Sequence, residues 1–213
     1  MDFTNGEFRE NQRRVENLIS AAKDLSVGPP AQIELSQDVL RAAVVFLHSS
    51  LEEIVRNLYV QRLPNVQNRE SLNRIPLLTD PPNIRPTQVL LGQLAQFRGQ
   101  FVENVIVRSI ESYVSSFNLN NTTQLAQSLQ LLEIEVVKLE EYFPELNRLM
   151  ARRHQIVHQM DRTNEFDPLT VPLSPIDVIS VSRWKLTLEE FASALFALYS
   201  DQPSSPASSS TPQ

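Results

Sequence analysis

The sequence predicts an all-α fold, a helical bundle of five to six helices, and three observations carry that prediction. Apolar residues recur at spacings of three and four in segment after segment, which marks helices with one buried face. Proline-rich breaks separate these segments, and no stretch alternates apolar and polar residues between hairpin turns as a sheet would. The chain has 213 residues, 41% hydrophobic and 21% charged, enough to bury a core without covalent staples. A single domain over residues 1–200 with a disordered Ser/Pro-rich tail over 201–213 is expected.

The first helix is expected over Asn5 to Leu25, on the spacing of Phe8, Val15, Leu18, Ile19 and Ala22. Gly28-Pro29-Pro30 breaks it. The second is expected from Ser36, read as its N-cap, to about Leu63. Leu40, Val44, Leu47, Leu51, Ile54 and Leu58 form its stripe, widened by Val45, Val55 and Tyr59, so it should be central. His48 lies beside that stripe and reads as a satisfied core histidine. Pro64 ends the helix, and Pro64 to Pro86 reads as a long loop with one helical turn. A short helix over Gln88 to Phe97 follows.

Val102, Val105, Ile106, Ile110, Tyr113 and Val114 then mark a helix ending near Phe117. Asn118 to Asn121 breaks it. Thr122 or Thr123 is expected to cap a helix carrying Leu125, Leu129 and Leu132, continuing as far as Leu139. Pro144 fits the first turn of the next helix, which must stop by Asp167-Pro168. Ser174-Pro175 reads as the cap and first residue of a last helix with Ile176, Ile179, Trp184, Leu188, Phe191, Leu195 and Leu198 on its stripe.

Composition narrows the chemistry. There is no cysteine, which removes disulfides, thiol nucleophiles and Cys-ligated zinc and fits a cytoplasmic setting. The four glycines form no phosphate-cradling loop. No secretory signal and no membrane span is expected. The net charge of −6 argues against a protein that coats nucleic acid non-specifically, but it allows a local basic site. Such a site lies at Arg148 to Arg162, where Arg148, Arg152, Arg153 and Arg162 face Asp161 alone.

Within it, Arg152 to Arg162 reads RRHQIVHQMDR. On a helix at ~100° per residue, Leu146, Leu149, Met150, Ile156, Val157 and Met160 form an apolar stripe with Arg153 near its middle. A guanidinium keeps its charge, so its burial is costly unless it is paired. Either Arg153 has an internal carboxylate partner, for which Glu53 is a candidate, or the stripe faces a polar site or another subunit. His158, five residues on, is about 140° further round the helix. Joint chemistry of the two would need a groove around the helix, a distorted helix end or a second copy of the chain.

Three chemistries suit these residues. Arg153 and His158 fit metal-free RNA cleavage, with the imidazole moving a proton and the planar guanidinium holding the phosphate. His154 and His158, four apart, could hold a metal, with His48 as a third ligand, although the pattern lacks the Glu of HExxH. The third is a plain basic surface for RNA or an acidic partner, which leads on spacing alone.

The segment RRHQIVHQMDR resembles the Arg/His signature of the HEPN superfamily, in which an Arg, a polar residue and three more residues precede a His. RAAVVFLHSSLEEIVRNLY, LNRIPL and LGQLAQFRGQFVENVIVRSIESYVSSFNLNN, in that order, resemble successive parts of its RiboL-PSP type, as does the last helix with Trp184. The resemblance covers about Ser36 to Tyr199. It implies an all-helical, homodimeric, metal-independent endoribonuclease that needs no cofactor. Cleavage would leave a 2′,3′-cyclic phosphate and a 5′-hydroxyl, in a toxin–antitoxin, phage-defence or RNA-processing setting. Arg153 and His158 would be catalytic and His154 would fill the polar position after the Arg. Arg152 and Arg162 would hold neighbouring phosphates, and an antitoxin or defence-complex partner is implied. Two departures stand out. Met160 occupies the place where some HEPN toxins carry a modifiable Tyr, and the chain is acidic overall. Some HEPN domains are non-catalytic interaction modules, which is the alternative reading.

Overall fold

Two adjacent prolines decide how the bundle begins. In a computed structural model describing residues 2–66, 68–78, 91–162 and 173–200, with backbone alone over 2–5, helix α1 spans Asp2–Ser26 and α2 spans Pro30–Arg62. Pro29 is the N-cap of α2 in extended conformation and Pro30 opens the helix, where its missing N–H costs nothing. The break is therefore only three residues wide, Val27 to Pro29, and α1 folds back along α2. The expected start at Ser36 is corrected by six residues. Ser36 lies inside α2, buried, and its hydroxyl donates to the Ala22 carbonyl of α1 at 2.8 Å.

The remaining α-helices are α3 (Arg69–Leu72), α4 (Leu91–Leu94), α5 (Val102–Ser115), α6 (Thr122–Leu131), α7 (Phe143–Gln159) and α8 (Val178–Ser200). Among the described residues six helices have ten residues or more, within the range expected, and α3 and α4 are single turns. A 3₁₀ turn at Leu63–Asn65 closes α2 over Pro64, and α3 supplies the one turn expected in the loop that follows. Residues 79–90, 163–172 and 201–213 lie outside the described residues, and with them part of the proline-rich loop, the start of the Gln88 helix and the tail. No helix among the described residues is long and apolar enough to cross a membrane.

α2 packs against α1, α5, α7 and α8, and its stripe is the core's spine. Leu47, Leu51 and Val55 are fully buried there. Each such side chain withdrawn from water contributes about 1.5–3 kcal/mol before entropy is counted. α1 brings Val15 and Ile19, α6 brings Leu125 and Leu129, and α8 brings Leu188, Phe191 and Leu195.

Helix ends depart from expectation where side chains find better partners. Asn121, not a threonine, caps α6, its side chain accepting from the Gln124 N–H at 2.9 Å. α6 stops at Leu131, since Glu133 adopts a left-handed φ of 57°, and a 3₁₀ stretch over Val136–Tyr142 carries the chain into α7. Pro144 sits in the first turn of α7 as expected. Asp177, rather than Ser174, caps α8, accepting from the Ser180 N–H at 2.8 Å.

Candidate active site

α7 crosses from core to surface along its length, and the motif lies on the crossing. Leu146, Leu149 and Met150 are buried, whereas Val157 is 44% exposed and Met160 75% exposed. The apolar stripe read from the sequence is thus a core stripe only in its first half. Arg153 stands at the changeover, half-buried, while His154 and His158 are exposed on the far half. The two imidazoles are one turn apart, with ring centroids 4.7 Å apart and planes tilted by 44°.

The expected partner of Arg153 is not where the sequence suggested. Glu53 pairs with Arg56 of its own helix at 3.3 Å. Among the described residues no carboxylate lies within the 4 Å ion-pair distance of Arg153 or of Arg162. Arg148 is engaged by Glu145 at 2.5 Å. The guanidinium of Arg153 instead lies within electrostatic reach of His48, across the α2–α7 contact.

His48 is 1% exposed, and its Nε2 is 2.7 Å from the Leu119 carbonyl. A carbonyl can only accept, so Nε2 carries the proton and Nδ1 is left as a lone pair without a hydrogen-bond partner among the described residues. Glu52, one turn on, places its Oε1 3.8 Å from that Nδ1 while accepting from the Leu119 N–H at 2.9 Å. Burial pushes the His48 imidazole below its ordinary range. The Leu119 carbonyl and Glu52 oppose this, and the positive charges of Arg153 and Arg56 add to it. His48 is therefore a neutral core group tying α2 to the α5–α6 loop, far more buried than His154 and His158. Among the described residues no group of three or more His, Asp or Glu side chains is placed to hold a metal ion.

α7 ends at Gln159. Met160 is its C-cap in left-handed conformation, and Asp161 follows with φ 59°. Asp161, only 1% exposed, turns inward and accepts from Arg41 Nε of α2 at 2.5 Å and from Arg152 Nη2 at 2.8 Å. Both arginines also donate to the Ser174 carbonyl, at 3.0 and 2.9 Å. Arg152 was expected to meet a phosphate, and its Nη2 is committed to this cluster. Burial and the neighbouring Arg41 draw its guanidinium below the usual range, against the pull of Asp161. Arg162 pairs with Leu173 in an isolated antiparallel bridge, which brings the chain back beside α7. Sequence reasoning assigned no role to Arg41, Asp161 or Ser174 in this arrangement. The signal available was an Asp immediately after an Arg/His-rich helix with no local acid rival.

A groove of about 890 Å³ runs between α1 and α2, lined by Phe46, Ser49, Glu53 and Arg56 among others. None of its lining residues belongs to α7. Its charged lining, Glu7, Glu10 and Glu53 against Arg14 and Arg56, is net acidic and suits an RNA backbone poorly.

No curated protein and no solved structure gives a significant match to the chain. The family model described as RiboL-PSP-HEPN matches residues 9–195 of the 213, which takes in most of α1 and runs on into α8. An all-helical bundle organised on α2, an Arg–His pair on α7 and a family match over most of its length together show that this chain belongs to the RiboL-PSP-HEPN family.

Proposed function

We propose that this protein is a metal-independent endoribonuclease that acts as a homodimer in the cytoplasm, in a toxin–antitoxin or phage-defence setting. The observation that carries the reading is the state of α7 at its motif. Arg153 is half-buried with no carboxylate within 4 Å among the described residues, and His158 is exposed in the helix's last turn. A cation at that place is available to an anionic ligand, and an exposed imidazole further along the same helix is available to move a proton. Arg153 and His158 are five apart on one helix, so a single copy presents them on different faces. Two copies of α7 across a shared cleft would bring the groups together, and half-exposed Val157 and exposed Met160 supply apolar surface for that contact.

In the reaction, one imidazole takes the proton of a ribose 2′-hydroxyl. The 2′-oxygen then forms a bond to the adjacent phosphorus and the bond from phosphorus to the 5′-oxygen breaks. A second imidazole, from the other copy, returns a proton to that 5′-oxygen. The products are a 2′,3′-cyclic phosphate and a 5′-hydroxyl. Arg153 stabilises the charge on the phosphoryl oxygens, and His154, beside His158, lines the same surface.

Cleavage of RNA in EDTA tests this, comparing wild type with Arg153→Ala and His158→Ala once each is shown to keep its helical signal and dimer mass. Wild type should cut and leave cyclic-phosphate ends, and each variant should lose at least about 10²-fold in rate. Wild type that is inert on several RNAs, or no faster than the variants, would move the protein to the non-catalytic interaction modules of the family.

A further inference from the structure

We propose that Asp161, gripped by Arg41 and Arg152, is a positioning residue that sets the end of α7 and with it the His158 imidazole. The proposal rests on the endoribonuclease reading for what His158 does. The clamp itself does not depend on that reading.

The chain leaves α7 in a conformation that side chains resist. Met160 and Asp161 are consecutive non-glycine residues at φ 52° and 59°, and Met has no local hydrogen bond to offer in return. Such a backbone persists only where its surroundings hold it. Here one carboxylate does so. Oδ2 of Asp161 receives Arg41 from 120 residues back in the chain and Arg152 from two turns earlier on α7. The Ser174 carbonyl receives both guanidinium groups again, and the Ser174 N–H donates to the Asp161 carbonyl at 2.8 Å. Gln155 closes the ring, its carbonyl accepting from the Asp161 N–H at 3.1 Å and its side chain donating to the Ser174 hydroxyl at 2.6 Å. Three separate stretches, in α2, at the end of α7 and ahead of α8, thus meet three residues beyond His158.

Charge in the cluster is balanced, since Asp38 also accepts from Arg41 Nη1 at 3.1 Å, but the hydrogen bonding is uneven. Two guanidinium groups share one oxygen, while the other carboxylate oxygen and Arg152 Nε are buried without a hydrogen-bond partner among the described residues. What the cluster fixes is the geometry of the chain reversal, and the group it places is exposed His158 in the preceding turn. Arg152 would then act through His158 and not on a phosphate.

The test uses the full chain carrying Arg152→Lys and, separately, Asp161→Asn, each also combined with His158→Ala. Arg152 reaches both Asp161 and Ser174 from Nη2 alone, and lysine keeps the charge that a phosphate needs but is one bond too short to place a donor there. Amide hydrogen exchange over residues 158–162 should rise in Arg152→Lys while exchange in α2 stays slow. On an RNA oligonucleotide kcat should fall about 10²-fold, with KM and the salt dependence of binding unchanged. In the His158→Ala background the same substitution should cost almost nothing, because its effect passes through the missing imidazole. Unchanged exchange in Arg152→Lys overturns the clamp whatever the protein does to RNA. A raised KM, or an equal rate loss with and without His158, overturns the positioning role. If Asp161→Asn yields no folded protein, Arg152→Lys decides alone. If wild type cuts no RNA, the endoribonuclease reading and the role assigned to His158 fall together, and exchange still judges the clamp.

Discussion

The two halves of α7 are made of similar residues and live in different surroundings. Leu146, Leu149 and Met150 are buried against the core, while Ile156 is only half-buried and Val157 and Met160 look outward. The charged residues change over at the same place. Arg152 reaches in to a buried carboxylate, and its neighbour Arg153 meets no carboxylate within 4 Å among the described residues. One residue of helix is about 100° of rotation, enough to send adjacent arginines to opposite fates. The first half packs into the core, whereas the second holds Val157 and Met160 exposed and Arg153 with no carboxylate within 4 Å among the described residues. That division makes the second half the place to look for chemistry.

The largest expected effect separates the halves by stability. Leu149→Ala removes a fully buried side chain and should destabilise the fold by about 2–5 kcal/mol in denaturant unfolding. Val157→Ala, on the same face two turns later, should change monomer stability by no more than about 0.5 kcal/mol. If the homodimer uses this face, Val157→Ala should instead weaken dimerisation, read from the dimer dissociation constant by ultracentrifugation. Comparable losses of monomer stability at both sites would break the comparison, since the second half would then be core as well.

A smaller effect probes the contact beneath the changeover. The folded state holds His48 below its ordinary pKa, chiefly by burial, so the unfolded chain takes up its proton first as pH falls. Stability from this group is complete above about 6.5, the unfolded value, and is lost as pH drops through the folded value. The slope it adds is at most about 1.4 kcal/mol per pH unit. His48→Gln, which keeps an N–H for the Leu119 carbonyl, should flatten the stability profile in that window and leave the rest unchanged. A wild-type profile that is already flat below pH 6.5 would mean that His48 titrates alike in both states.

The helices were legible in the sequence because their signal is local. The stripes of α1, α2, α5 and α8 repeat within each segment, and Pro30, Pro64 and Pro144 act within a turn of themselves. Two of the misreadings share one physical cause, which is a serine with distant partners. Ser36 and Ser174 both look like caps, but the first bonds to Ala22 across the hairpin and the second belongs to a cluster fed by Arg41, 133 residues earlier. Ile179 follows the stripe of α8 and yet is 73% exposed. The candidate site was half legible. An arginine on an apolar stripe was visible as an anomaly, and it does stand between core and surface. That its neighbour Arg152 would be tied to Asp161 was not visible, because the tie depends on a chain reversal at Met160 that no glycine or asparagine announces.

That reversal offers the smallest and most local test of how the second half of α7 is held. Met160 is 75% exposed, so its side chain contributes little packing, and its φ of 52° belongs to the region that glycine enters freely. Relief of the left-handed conformation is worth about 1–2 kcal/mol, and the extra entropy that glycine brings to the unfolded chain takes back about 0.5–1. Met160→Gly should therefore stabilise the monomer by roughly 0.5–1 kcal/mol, measured by denaturant unfolding. The substitution also removes apolar surface from the face that two copies would share, so dimerisation should weaken while the monomer gains. A monomer that loses stability instead would show that the Met160 side chain packs against something the exposed end of α7 does not reveal, and the contrast between its two halves would be less sharp than their exposure suggests.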